Sequence, residues 1–214
     1  FVNDWLCNRQ FSPYSTNKIA NSFLASELSL VASSKDAKPF DPDKHPTQDW
    51  WPMSWPQEHT LRSAFQKSVV RYYQDLASEM SLGDFGITWS DGGMTTLGLE
   101  ADDRILLGKD LVISAHEQVA FLQRLQENRL GIGDGSAALL RGIALVEEKD
   151  GRKLFGKTGT GQHDTHWVGW YGDGRKEADG PQIFALVCLE DSFEAVRKKR
   201  ETVRTDVLKA VGFR

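Results

Sequence analysis

From Ser15 onward the apolar positions of the chain fall at helical spacing. Ile19, Phe23 and Leu24 open a stripe that Leu28 and Val31 continue, which predicts one amphipathic helix. A serine suits the start of such a helix, because its hydroxyl can accept a hydrogen bond from a backbone N–H that has no partner in the first turn. The residues before it, 1–14, read as the end of a strand running into a loop that Ser12-Pro13 closes. The pattern lapses over 33–58, a stretch rich in Pro, Asp and Lys that carries Trp50, Trp51 and Trp55. It resumes from about His59 to Met80, with Leu61, Phe65, Val69, Tyr72 and Leu76 on one face, and predicts a second helix. Gly83, Gly86, Gly92, Gly93, Gly98 and Gly108 then make 81–112 an extended, turn-rich loop.

In the second half, Ser114-Ala115-His116-Glu117 has the spacing of a capping box, in which the serine caps the helix and the glutamate bonds back to it. The helix it opens carries Val119, Phe121, Leu122 and Leu125, and a further helix is expected from near Gly135 to near Glu148. Strand-like runs follow at 152–159, 165–171 and 182–189, the last two rich in aromatic and β-branched residues. A charged amphipathic helix from about Phe193 to Val211 closes the chain. There is no internal repeat. This order predicts an α/β (α+β) fold, a central antiparallel sheet flanked by helices with an α-helical lobe.

Composition narrows the function classes. At 214 residues the chain is sized for one domain, and 1–214 is read as such. A net charge of −4 argues against a nucleic-acid partner, which calls for a basic face. No apolar run approaches membrane-spanning length. Cys7 and Cys188 read as packed thiols rather than a disulfide, although spacing alone does not fix their separation. The chain opens at Phe1 with neither a basic segment nor an initiator methionine, so it reads as a processed or trimmed product, with any signal peptide already gone.

The candidate chemistry begins with Ser15-Thr16-Asn17-Lys18. Residues three apart on a helix are neighbours, so the Ser15 hydroxyl and the Lys18 amine can meet. A serine needs a base to attack a carbonyl, and a lysine can serve when burial lowers its pKa. The same spacing also describes a helix cap followed by a solvated lysine. Two further segments add to it. Lys157-Thr158-Gly159 sits in a strand and offers an ammonium, a hydroxyl and backbone N–H groups to an anionic, amide-bearing substrate. Ser68-Val69-Val70 lies between the two motifs, and its serine could relay a proton between the lysines; alone, it is a small residue beside core valines. His163 and His166 flank Asp164, but no third and fourth ligands are spaced for a metal, and none is expected.

Together these segments resemble a known family. Ser12-Pro13-Tyr14-Ser15-Thr16-Asn17-Lys18-Ile19-Ala20-Asn21-Ser22 is similar to the nucleophile segment of class D β-lactamases and of the penicillin-sensing domains of β-lactam receptors. So are Lys67-Ser68-Val69-Val70-Arg71-Tyr72-Tyr73-Gln74, Ile113 to Val119, Leu154 to Gly159, and Trp167-Val168-Gly169-Trp170, in family order. The resemblance implies a serine β-lactamase/penicillin-binding-protein-like fold and a periplasmic or secreted hydrolase, monomer or homodimer, that opens β-lactam rings. It makes Ser15 the acylated nucleophile, Lys18 its base, and Ser68 and Lys157 their catalytic partners. It assigns the substrate to Val70, Thr158, Gly159, Thr160, Arg200 and Leu106, with Arg200 twelve positions before Gly212 on the closing helix. The backbone N–H groups of Ser15 and Thr160 become the oxyanion hole, where each such donor is worth roughly 3 kcal/mol. No cofactor is implied beyond carbon dioxide, which in this family often carboxylates the lysine that Lys18 matches.

The chain also departs from the family pattern. Asn17 replaces a bulky aromatic, Phe85-Gly86-Ile87 stands where Tyr-Gly-Asn is usual, and Leu106 occupies the place of a loop tryptophan. Asn17 makes the surroundings of Lys18 more polar and Leu106 more apolar, so both a carboxylated and a free Lys18 remain open. The strand pair before the nucleophile helix is almost missing and the stretch from Ser68 to Phe85 is short, which leaves a sheet edge to be covered or charged. Two rivals to the hydrolase follow: a penicillin-binding or penicillin-sensing domain that stays acylated, and a fold kept for another partner.

Overall fold

A two-residue turn, Asp150-Gly151, starts the sheet. Both residues have positive φ, 52° and 80°, as tight hairpins need to match the twist of their strands. The turn joins β5 (Leu145–Lys149) to β6 (Arg152–Thr160), which pairs along its full length with β7 (Asp164–Asp173), and β7 with β8 (Gln182–Leu189). The result is an antiparallel sheet in the order β5-β6-β7-β8. The computed structural model describes residues 4–80, 95–96, 111–131, 133–173 and 181–210.

Alternation along β7 divides the sheet between two layers. Val168 and Trp170 face the main core, where Trp170 stacks on Phe155 at 5.2 Å between ring centroids. Trp167 faces the other way and, with Leu154, packs on Val207 and Leu208 of the closing helix α7 (Phe193–Ala210). The main core is built on α2 (Lys18–Glu27), which is buried from Lys18 to Ala25, as a helix enclosed on all sides must be. Around it pack α3 (Leu61–Lys67), α4 (Val70–Ala77), α5 (Ala115–Gln126) and α6 (Asp134–Ala144). Short strand pairs β1–β2 (Ala37–Lys38, His59–Thr60) and β3–β4 (Thr95–Thr96, Leu111–Val112) tie down the loops. The expected sheet, flanking helices and helical lobe are all present. The Ser114 capping box forms in both directions, with Glu117 N–H on Ser114 Oγ and Ser114 N–H on Glu117 Oε2.

Three local expectations are corrected. The helix expected from His59 to Met80 breaks at Ser68, which adopts φ 57°. There the Val69 N–H returns to the Ala64 carbonyl and the Ser68 N–H to that of Phe65, a left-handed helix ending usually made with glycine. The helix expected to reach Glu148 stops at Ala144, because Leu145–Lys149 satisfies its backbone by pairing with β6. The strand expected before Ser12 is reduced to one bridge, Phe11 to Ile113, and its place is taken by a turn of helix, α1 (Asp4–Cys7). Cys7 and Cys188 do not bridge.

The loop between β1 and β2 has an unusual anchor. Arg71, on α4, is fully buried, and it gives its guanidinium to the carbonyls of Pro39, Trp55 and Gln57 while lying 5.2 Å from the Phe40 ring. Trp55, in turn, donates its indole N–H to the Lys67 carbonyl and packs against Trp50 and Trp51.

Candidate active site

Ser15 lies in a 3-10 turn (Tyr14–Asn17) immediately before α2. The turn rests on β6. The Thr16 hydroxyl donates to the Pro13 carbonyl at 2.7 Å, and a Cβ on Gly159 would stand 2.6 Å from that same carbonyl oxygen. Only glycine lets the turn come this close. The last residue of the Lys-Thr-Gly triplet is therefore a spacing element.

Lys18 begins α2 and points its Nζ at the Ser15 hydroxyl, 3.0 Å away, and lies 5.2 Å from the Tyr73 ring. Its side chain is buried, and burial lowers its pKa to about 7. An amine with that pKa is substantially neutral at physiological pH and can accept the serine proton.

Ser68 sits in the break between α3 and α4. The left-handed turn brings its hydroxyl to the Lys157 amine, which hydrogen-bonds both to it and, at 2.8 Å, to the Thr158 carbonyl. Burial, followed by the charges of Lys18 and Arg200, holds the Lys157 pKa well below the usual lysine range. Two buried amines in one site cannot both keep a proton cheaply. Two arginines of α7, Arg197 and Arg200, also line this region, and the half-buried Arg200 has its Nη1 3.5 Å from Thr160 Oγ1.

Ser15, Ser68 and Arg200 line a cleft of about 700 Å³ with Tyr14, Trp50, Trp55, Thr158 and Thr160, and the two buried lysines stand behind the hydroxyls of Ser15 and Ser68. Serine nucleophile, neutral amine, second serine–lysine pair, backbone N–H groups and guanidinium are what acyl transfer to an anionic amide requires. Val70 is half-buried against the core and is not among the residues lining the cleft, because the break at Ser68 makes it the first residue of α4. Asn17 is buried in a small cavity with Ile113, Gln118 and Phe121. Leu106 and Phe85-Gly86-Ile87 lie outside the described residues.

Sequence reasoning missed one group. The Tyr14 hydroxyl donates to Asp164 Oδ1 at 3.0 Å, and His166 Nε2 lies 2.7 Å from Asp164 Oδ2. Asp164 and His166, two of the three residues weighed for a metal, are thus bonded to each other, and no set of three or more metal-type side chains gathers among the described residues. Only the tyrosine's position beside the nucleophile could have signalled it.

Comparison with known proteins gives the class. Residues 1–211 match the penicillin binding protein transpeptidase domain family, and the chain belongs to that family. Its relatives include the probable β-lactamase YbxI of Bacillus subtilis strain 168, 29% identical over 96% of this chain and 73% of that protein. The β-lactamase OXA-48 of Klebsiella pneumoniae is 27% identical over 84% of this chain and 66% of its own length. The regulatory protein BlaR1 of Bacillus licheniformis is 26% identical over 83% of this chain but only 29% of its own. Among solved structures, the class D β-lactamase YbXI from Nostoc superposes with a TM-score of 0.83 at 26% identity, over 98% of this chain and 87% of that one. A class D β-lactamase from Bacillus subtilis gives 0.79 at 28% identity, over 98% and 84%. These relatives and neighbours support a β-lactamase enzyme of the class D kind.

Proposed function

We propose that the chain is a serine hydrolase that opens β-lactam antibiotics through an acyl-enzyme on Ser15. The observation that carries this is the buried Lys18 amine 3.0 Å from the Ser15 hydroxyl, which itself lines a cleft with Ser68 and Arg200. Lys18 takes the serine proton as Oγ bonds to the lactam carbonyl carbon. The N–H groups of Ser15 and Thr160 hold the resulting oxyanion. As the ring C–N bond breaks, the proton taken by Lys18 passes through Ser68, whose hydroxyl is hydrogen-bonded to Lys157, to the leaving nitrogen, which returns Lys18 to its neutral form. Arg200 and Thr158 hold the substrate carboxylate. Lys18 then accepts the proton of the water that releases the acyl group. Carbon dioxide on Lys18 would supply a carboxylate-type oxygen acceptor for that last step, and a buried amine with lowered pKa is the kind that takes it up. The chain works as one penicillin-recognising domain, in the periplasm or outside the cell.

Intact-protein mass spectrometry after mixing with a penicillin tests this. A mass adduct that appears and then vanishes while hydrolysed drug accumulates supports the hydrolase, and Ser15→Ala should abolish nitrocefin turnover. Retained turnover in that variant sinks the assignment.

A second reading is a non-hydrolytic penicillin-binding or penicillin-sensing domain. The likeness to BlaR1 and the presence of Asn17 and Leu106 favour it. An adduct that persists, and turnover that ignores added bicarbonate, would support that reading; turnover raised by bicarbonate would end it.

A further inference from the structure

The proposed oxyanion hole is split between two elements that meet only in the folded protein. One donor, the Ser15 N–H, belongs to the 3-10 turn; the other, the Thr160 N–H, belongs to the end of β6. The productive spacing of such donors is narrow, because they must reach the position the oxygen occupies in the transition state. A side-chain tie joins the two elements next to both donors. Tyr14, the residue before Ser15, reaches across 150 positions to Asp164, which opens β7 beside Thr165, the cross-strand partner of Thr160.

Every part of this tie is constrained. Tyr14 holds φ 46°, a left-handed conformation that side chains other than those of Gly, Asn and Asp rarely adopt. Its ring lies over Gly161, where a Cβ would come 2.2 Å from the phenol oxygen, so the hairpin turn admits the ring only because it has no side chain. Asp164 is buried, and its second oxygen is fixed by His166, whose side chain is fully buried with its ring edge-on to Phe11 and Tyr14. Burial and the nearby Asp164 raise the Tyr14 pKa to about 12, so the phenol keeps its proton and its role as donor. Tyr14 and Asp164 line the cleft together with Ser15 and Thr160.

We propose that Tyr14, Asp164 and His166 are positioning residues that set the distance between the two oxyanion donors, with His166 orienting Asp164 and Asp164 orienting the Tyr14 phenol. This rests on the β-lactamase reading of Ser15. The role is exerted on the reacting carbonyl only through the backbone, so it should appear in the acylation rate and not in substrate affinity.

The test is stopped-flow acylation by nitrocefin, with melting temperature measured alongside, for wild type, Tyr14→Phe, Asp164→Asn, the double variant, His166→Ala and His166→Gln. Tyr14→Phe removes one oxygen and should fold. Each single loss of the tie should slow acylation about 10-fold or more, with apparent substrate affinity changed less than about 3-fold. The double variant should be no slower than Asp164→Asn, because both changes cut the same bond. His166→Gln, which can still donate from nearly the same position, should recover most of the rate that His166→Ala loses. Wild-type acylation rates in Tyr14→Phe, effects that multiply in the double variant, or slow rates that track only lost folding would overturn the proposal. A wild type that takes no acyl group overturns the reading of Ser15 along with it, whereas an acylated wild type with unaffected variants overturns the positioning role alone.

Discussion

Lys18 and Ser15 are held 3.0 Å apart at the junction of a 3-10 turn and the most buried helix among the described residues, with burial alone responsible for the low pKa of the amine. The base can act only when deprotonated. Acylation of Ser15 should therefore fall as pH drops through about 7 and level off above it. Single-turnover rates from pH 5.5 to 9 check this, and a flat profile across that range would remove Lys18 from the role.

The same burial has a cost in stability whose sign is fixed. An unfolded lysine keeps its proton up to about pH 10.5, while the folded Lys18 gives it up near 7, so the unfolded chain binds more protons between those values. Stability should rise with pH across that window. Lys18→Met should reduce the rise, leaving the part that Lys157 contributes, and, at pH 7, stabilise the protein by about 2 kcal/mol, an increase of roughly 4–8 °C in melting temperature, while abolishing turnover. Thermal melts at pH 7 and pH 9.5 for both proteins decide it.

Gly159 offers a steric test. A methyl group there would meet the Pro13 carbonyl oxygen at 2.6 Å and the Thr16 nitrogen at 3.3 Å, both backbone atoms that move only if the nucleophile turn moves. Gly159→Ala should destabilise by about 2–3 kcal/mol and slow acylation at least about 100-fold. Chemical denaturation and stopped-flow kinetics would show the two losses together; an active, stable variant would mean the turn can shift without harm.

Arg71 provides a third kind of variant. Arg71→Met keeps most of the buried volume but leaves the carbonyls of Pro39 and Gln57 without their donor, a loss of about 3 kcal/mol. Because the loop it holds brings Trp50 and Trp55 to the cleft, KM should rise more than kcat falls. Steady-state kinetics on a bulky and a small β-lactam separate the two, and equal effects on both parameters would argue against the loop's part in binding.

The elements that a short window defines were legible in the sequence. The apolar stripe of α2, the capping box of α5 and the runs that became β6 and β8 each carry their own signal. Three-residue spacing made the contact of Ser15 with Lys18 possible, and the resemblance of the later segments to a family favoured it over a solvated lysine. What stayed hidden depends on partners far along the chain. Ser68 takes a left-handed conformation usually given to glycine, so nothing marked the helix break that turns its hydroxyl to Lys157. Leu145–Lys149 suits a helix as well as a strand, and only its pairing with β6 decides between them. The bond from Tyr14 to Asp164 joins residues 150 positions apart, beyond any periodicity.

The way Arg71 grips its loop has a consequence for how this protein can diversify. The guanidinium reads main-chain oxygens at positions 39, 55 and 57 and packs near the Phe40 ring. Substitutions between Phe40 and Trp55 can reshape the mouth of the cleft without loosening that attachment, while Ser15 and Lys18 sit on a turn and a helix outside the loop. Selection by new drugs would thus find a rim it can rewrite cheaply, mounted on chemistry it leaves alone.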